Sequence, residues 1–112
     1  MDDSTLNRFQ ALLDGGQDNA LLRLTLGQAW LEREDYAQAV EHLERSVQQN
    51  PGYSAAWKFL GKAREGAGML QAAREAYQSG LSAARQQGDA QLTRELEVFL
   101  KRLAKRMAED NR

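Results

Sequence analysis

The sequence predicts an all-α protein of stacked antiparallel helical hairpins, about six helices in all, and three observations carry that prediction. First, the chain matches itself at an offset of 34 residues: Leu26 and Gly27 recur as Leu60 and Gly61, and Ala39 recurs as Ala73. A helical pattern repeated at that period is a hairpin too small to bury its apolar face alone, so neighbouring copies must lean together. Second, apolar residues recur every three or four positions along most of the chain, and no segment alternates as a strand would. Third, the only proline, Pro51, and most of the glycines stand where those helical patterns break, at Gly15, Gly16, Gly52, Gly66, Gly68 and Gly88.

Each element follows from that punctuation. Leu6, Phe9 and Leu13 share one face of a short first helix, expected from a cap at Ser4 to Asp14. A longer helix, 20–33, carries Leu22, Leu26, Ala29, Trp30 and Arg33 on one side. Asp35 followed by Gln38 fits a capping box and opens a helix to Gln49, whose inward face is Tyr36, Ala39, Val40, Leu43 and Val47. Pro51 and Gly52 break the chain, and a second pair follows at 54–65 and 70–86. The last helix, 89–107, carries a stripe of Leu92, Leu96, Phe99, Leu103 and Met107.

The repeated residues now form a pattern. The first copy reads Arg23-x2-Leu26-Gly27-x2-Trp30, then Ala39-x3-Leu43, then Pro51; the second reads Trp57-x2-Leu60-Gly61-x2-Arg64, then Ala73-x3-Tyr77. This resembles the tetratricopeptide repeat, W-x2-L-G-x2-Y, A-x3-F, P. Small residues at Gly27 with Ala39, and Gly61 with Ala73, suit two helices that cross closely. The departures are Arg23 where the family prefers Trp, Arg64 where it prefers an aromatic, and Arg85 in place of the closing proline. Shifting back by 34 from Leu43 and Val47 lands on Phe9 and Leu13, so the first helix resembles the second half of a truncated repeat. The last helix has Arg94 and Glu95 where Leu-Gly would fall, as in a helix that closes an array. The expected layout is one domain over 1–112, with an N-terminal capping helix (4–19), two repeats (20–53 and 54–87) and a C-terminal solvating helix (88–108).

Composition narrows the function. Charged residues make up 28% with a net charge of −1, which gives no global pull toward nucleic acid or anionic membrane. The distribution is polar along the chain: residues 1–53 carry four bases against nine acids, a net of −5, and residues 54–112 carry eleven bases against seven acids, a net of +4. With no cysteine there is neither a disulfide framework nor a thiolate metal site. No apolar run approaches the ~18 residues of a membrane span and the N-terminus lacks the form of a signal peptide, so a cytoplasmic protein without a membrane partner is expected.

No cofactor, no metal and no catalysis are expected. The one histidine, His42, falls on an outward helical position one turn from Ser46, without an oxyanion site or pocket in prospect. Gly61-Lys62 matches the end of a phosphate loop, but Ala56 replaces its first glycine and Ala63 its Ser or Thr.

What packing leaves over points to binding. Leu21, Leu24 and Leu31 form a second apolar line on the first long helix with Gln28 between them, and the matching second-repeat positions include Lys58, Lys62 and Glu65. In stacked hairpins the leading helix of each pair lines the concave side, so the groove is expected to be apolar at one end and cationic at the other. Two or three leucines at roughly 1.5–3 kcal/mol each, with a charge-assisted hydrogen bond from a lysine, support micromolar binding after association costs. The expected role is an adaptor or scaffold that holds a peptide or helix of another protein carrying apolar residues and an acidic or carboxylate group.

Some family members clamp a C-terminal carboxylate with Lys, Asn and Arg, and here Lys58 and Lys62 match in part while Leu24 and Gln28 replace the first-repeat Lys and Asn. The alternative is self-association as a homodimer, through the Leu21–Leu31 line or through the last helix, where Val98, Phe99 and Leu100 are consecutive. Nucleic acid ranks last: Lys101, Arg102, Lys105 and Arg106 make two i, i+4 basic pairs, but acids flank them and no aromatic platform is interleaved.

Overall fold

A computed structural model describes residues 1–111 and contains six α-helices: α1 (Asp3–Asp14), α2 (Ala20–Glu32), α3 (Tyr36–Gln49), α4 (Ser54–Gly66), α5 (Leu70–Gln86) and α6 (Ala90–Asp110). No strand occurs among the described residues. Short polar side chains set most of the helix starts. Asn19, Asp35 and Asp89 each accept a backbone N–H three residues on, from Leu22 at 2.9 Å, Gln38 at 3.2 Å and Leu92 at 3.0 Å. These are donors that a helix start otherwise leaves unpaired. For α1 the cap is Asp2, which accepts from Thr5 at 2.8 Å, and Ser4 lies inside the first turn instead of capping it. Between α2 and α3 the chain turns through Glu34 at φ 59, where the equivalent position of the second repeat is Gly68 at φ 79.

The helices pair as α2 with α3 and α4 with α5, and the two hairpins join where α3 packs on α4. Two glycines permit the closest approach within each hairpin. A Cβ at Gly27 would strike the isobutyl group of Leu43, and one at Gly61 would strike the ring of Tyr77. Both partners are buried, as are Leu26 and Leu60 beside the glycines. The central core runs from Leu24 through Ala39, Leu43 and Val47 to Ala56, Leu60 and Ala63, so it belongs to both hairpins. At one end α1 lays Leu6, Phe9 and Leu13 against Leu22, Leu26 and Ala29. At the other, α6 closes the stack with Leu92, Leu96 and Leu103 against Ala73, Tyr77 and Ala84. The result measures 45 × 33 × 20 Å.

The two arginines that replace family aromatics substitute hydrogen bonds for packing. Arg64 donates to the Ala72 carbonyl at 3.1 Å and lies 3.7 Å from Glu44, which ties α4 to both flanking helices. Arg23 is gripped by both carboxylate oxygens of Asp18 at 2.8 Å, and Asp18 also accepts from Gln49 at 2.7 Å. Arg33 is not on the inward face of α2: it ends the helix, pairs with Asp3 at 2.6 Å and lies over the Trp30 ring.

His42 overturns its expected outward position. It is 4% exposed, and its Nδ1 accepts from Arg23 at 3.1 Å, because the inward face of α3 is broad enough to take His42 and Ser46 as well as the aliphatic stripe. Ser46 donates to the Ala20 carbonyl at 2.7 Å. Burial, then the Arg23 charge, pushes the His42 pKa below its ordinary value, with Glu41 and Asp18 opposing. The folded protein therefore binds fewer protons here than the unfolded chain, so stability present at neutral pH is lost as pH falls below about 6.5. Hydrogen bonds from Arg23 and Gln49 hold Asp18 far below the usual carboxylate range, which adds a second loss below about pH 4. Thermal melts across that range are expected to fall in two steps, and His42→Gln is expected to remove the upper one only.

Candidate functional site

The leading helices α2 and α4 touch each other, and α6 meets α4 through side chains such as Glu95 on Lys58. On α2 the leucine line is not a uniform apolar surface. Leu24 is 6% exposed and belongs to the central core, because small residues on α4, Ala55 and Ala56, let α2 come close enough for the leucine to fill the gap. Leu31 and Gln28 are half-buried, Leu31 against the same core. Leu21 is open, at 64% exposure, and borders a shallow hollow of about 340 Å³ with Phe9, Leu12 and Thr25. The surplus hydrophobicity read from the sequence is thus largely consumed where the hairpins meet.

The second-repeat positions Lys58, Lys62 and Glu65 are half-buried, and each is met by α6. The Lys58 ammonium lies 3.4 Å from Glu95 and 4.7 Å over the Phe59 ring. Lys62 sits 4.9 Å over Phe99 and 5.8 Å over Phe59, so its charge rests on aromatic faces, with no carboxylate of the described residues in salt-bridge range. Glu65 accepts from the Tyr77 hydroxyl at 3.0 Å and lies 3.4 Å from Arg106. Burial and the adjacent Glu65 carboxylate hold the Tyr77 phenol well above its ordinary pKa, which keeps the proton it donates.

Lys62, Glu65, Tyr77, Phe99, Arg102 and Arg106 together line a cleft of about 390 Å³ between α4 and α6. Three cations against one carboxylate, over an aromatic wall, give this cleft a net positive and partly apolar lining. Phe99, Arg102 and Arg106 were absent from the groove expected from sequence. Their signal was the i, i+4, i+7, i+11 spacing of Glu95, Phe99, Arg102 and Arg106, one helical face offset from the buried stripe. The same placement divides the basic quartet of α6. Arg102 and Arg106 line the cleft, whereas Lys101 borders a separate groove with Arg94, Glu97 and Val98. Among the described residues no group of three His, Asp or Glu side chains is arranged to hold a metal ion, and no helix is long and apolar enough to cross a membrane.

Comparison with known proteins agrees with this architecture. The tetratricopeptide repeat family profile matches residues 30–95. A TPR repeat-containing protein of Pseudomonas aeruginosa is 50% identical over 95 residues, spanning 85% of this chain and 90% of the relative. The solution structure of a Bordetella parapertussis protein is 45% identical with a TM-score of 0.80, covering 95% of this chain and 92% of that one. The first TPR domain of Spaghetti, solved with the HSP90 peptide SRMEEVD bound, has the same fold at 21% identity, with a TM-score of 0.79 over 95% of this chain and 79% of that one. A profile match over more than half the residues and a relative of this identity and coverage agree with the paired glycine crossings: the chain belongs to the tetratricopeptide repeat family.

Proposed function

We propose that this domain is a protein-binding adaptor that holds a segment of a partner protein in its concave groove, with an acidic side chain or terminal carboxylate of that segment seated between α4 and α6. The observation that carries the reading is the cleft lined by Lys62, Arg102 and Arg106 with one carboxylate, Glu65, which pairs with Arg106, beside Phe99. An incoming carboxylate gains charge-assisted hydrogen bonds there, and its neighbouring apolar atoms cover Phe99 and the lysine stems. Leu21, Gln28 and Leu31 on α2, with Lys58 on α4, extend the path along which the rest of the segment lies, while Leu24 supports it from beneath. A Lys–Asn clamp from the first repeat plays no part, because Leu24 and Gln28 occupy those positions. That a domain of the same fold holds an acidic peptide supports the choice of ligand chemistry.

Titration of the labelled domain with an acidic-ended heptapeptide is expected to move the amide signals of Lys58, Lys62, Phe99 and Arg106 and to give a micromolar Kd. Lys62→Glu and Arg106→Glu are each expected to weaken binding at least about tenfold, since a charged hydrogen bond contributes roughly 1.5–3 kcal/mol. Signals that stay still around Lys58 and Lys62 at saturating peptide would remove this reading.

A further inference from the structure

We propose that copies of this chain join head to tail, with α1 of one seated in the outer groove of α6 of the next. The surface involved is separate from the cleft between α4 and α6. Helical register is the first argument. Leu26, Leu60 and Leu96 each stand seven residues after a helix cap, at Asn19, Tyr53 and Asp89, and all three are fully buried. The next residue in the first two helices is Gly27 or Gly61, the point against which the following helix packs. In α6 it is Glu97, which borders an open groove of about 600 Å³ with Arg94, Val98, Leu100, Lys101 and Ala104. Thus α6 has the face of a leading helix with no helix laid on it among the described residues, and Val98 there is 44% exposed.

The first helix is its complement. Phe9 and Leu13 lie 34 residues before Leu43 and Val47, so Arg8 and Leu12 correspond to His42 and Ser46, which pack on α2. On α1 that face is open, with Leu12 at 40% exposure. Charge then selects the occupant. An antiparallel α1 in the groove brings Asp14 toward Arg94, its acidic start at Asp2 toward Lys101 and Lys105, and Arg8 toward Glu97. The division of the chain into a −5 half and a +4 half acts in the same direction. Pairing α6 antiparallel with a second α6 instead would match Glu97 with Lys101 but set Arg94 against Lys105, a poorer balance than α1 offers. Glu97, standing where the inner hairpins have glycine, keeps the crossing wider, so the junction is weaker than those within the chain and reversible.

A head-to-tail contact uses two different surfaces, and this gives it a signature that a symmetric dimer lacks. In sedimentation over a concentration series the protein is expected to grow beyond twice its 12.6 kDa mass, and added salt is expected to reverse the growth. Leu12→Lys and Val98→Lys, both at exposed positions, are each expected to remain monomeric alone while keeping the helical circular dichroism of the parent. Mixed one to one, they are expected to form a dimer, because one intact α6 groove and one intact α1 face remain. A parent protein that stays monomeric at the highest concentration, a mass that stops at two, or a mixture that stays monomeric would each overturn the proposal.

Discussion

Gly61→Val is expected to cost about 3 kcal/mol or more of unfolding free energy, measured by urea denaturation. A Cβ at this position meets the Tyr77 ring, which is 1% exposed and anchored by its hydrogen bond to Glu65, so the ring has nowhere to move without opening the crossing of α4 and α5. Valine adds two branches to that collision. Gly61→Ala is expected to cost less, because alanine recovers up to about 1 kcal/mol of helix propensity against the same overlap. Gly52→Ala is the control: its nearest neighbours lie 3.6 Å or more from the added carbon, and a change within about 0.5 kcal/mol is expected. Overpacking at the crossing, and not the loss of glycine as such, is what separates the variants.

Leu43→Ala is expected to cost 2–5 kcal/mol, the range for deleting a buried leucine whose surroundings cannot collapse into the space. Leu43 is fully buried within the core cluster that includes Leu24, Ala39, Leu60 and Ala76, so its loss removes contact inside the first hairpin and between the two hairpins together. At about 4–8 °C per kcal/mol for a domain of this size, the melting temperature is expected to drop by roughly 10 °C or more. Val98→Ala, an exposed apolar position on α6, is expected to change stability by no more than about 0.5 kcal/mol.

The helices and their crossings were legible in the sequence because several local signals coincide at each one. Apolar spacing, the cap at Asp35, and breaks at Pro51 and Gly88 all mark the same boundaries, and the 34-residue repeat supplies the packing partner that no single helix reveals. Gly27 and Gly61 could be assigned to close crossings for that reason. His42 could not be placed, since its burial depends on Arg23, nineteen residues away, and on Asp18 holding that arginine in position. Apolar periodicity does not register a histidine made compatible with the interior by a hydrogen bond. Leu24 was read as groove surface because leading-helix positions line the groove, yet its exposure is decided by how small the facing residues of α4 are. The basic cleft depended on the rotation of α6 about its own axis. Two faces of that helix, one through Leu92 and Leu96 and one through Glu95, Phe99 and Arg102, are both consistent with its sequence as a closing helix, and only the packed arrangement turns the second toward Lys62.

The central claim is that each hairpin is held by a helix crossing so close that a glycine on one helix and a large side chain on the other share a single space. A double-mutant cycle of Gly27→Ala with Leu43→Ala, followed by urea denaturation, measures that directly. The methyl group added at Gly27 occupies part of the volume that Leu43→Ala vacates, so the double variant is expected to be more stable than the sum of the two single losses predicts, by about 1 kcal/mol or more. Strict additivity would mean that the two residues do not meet, and the stacked-hairpin account of this protein would fail with it.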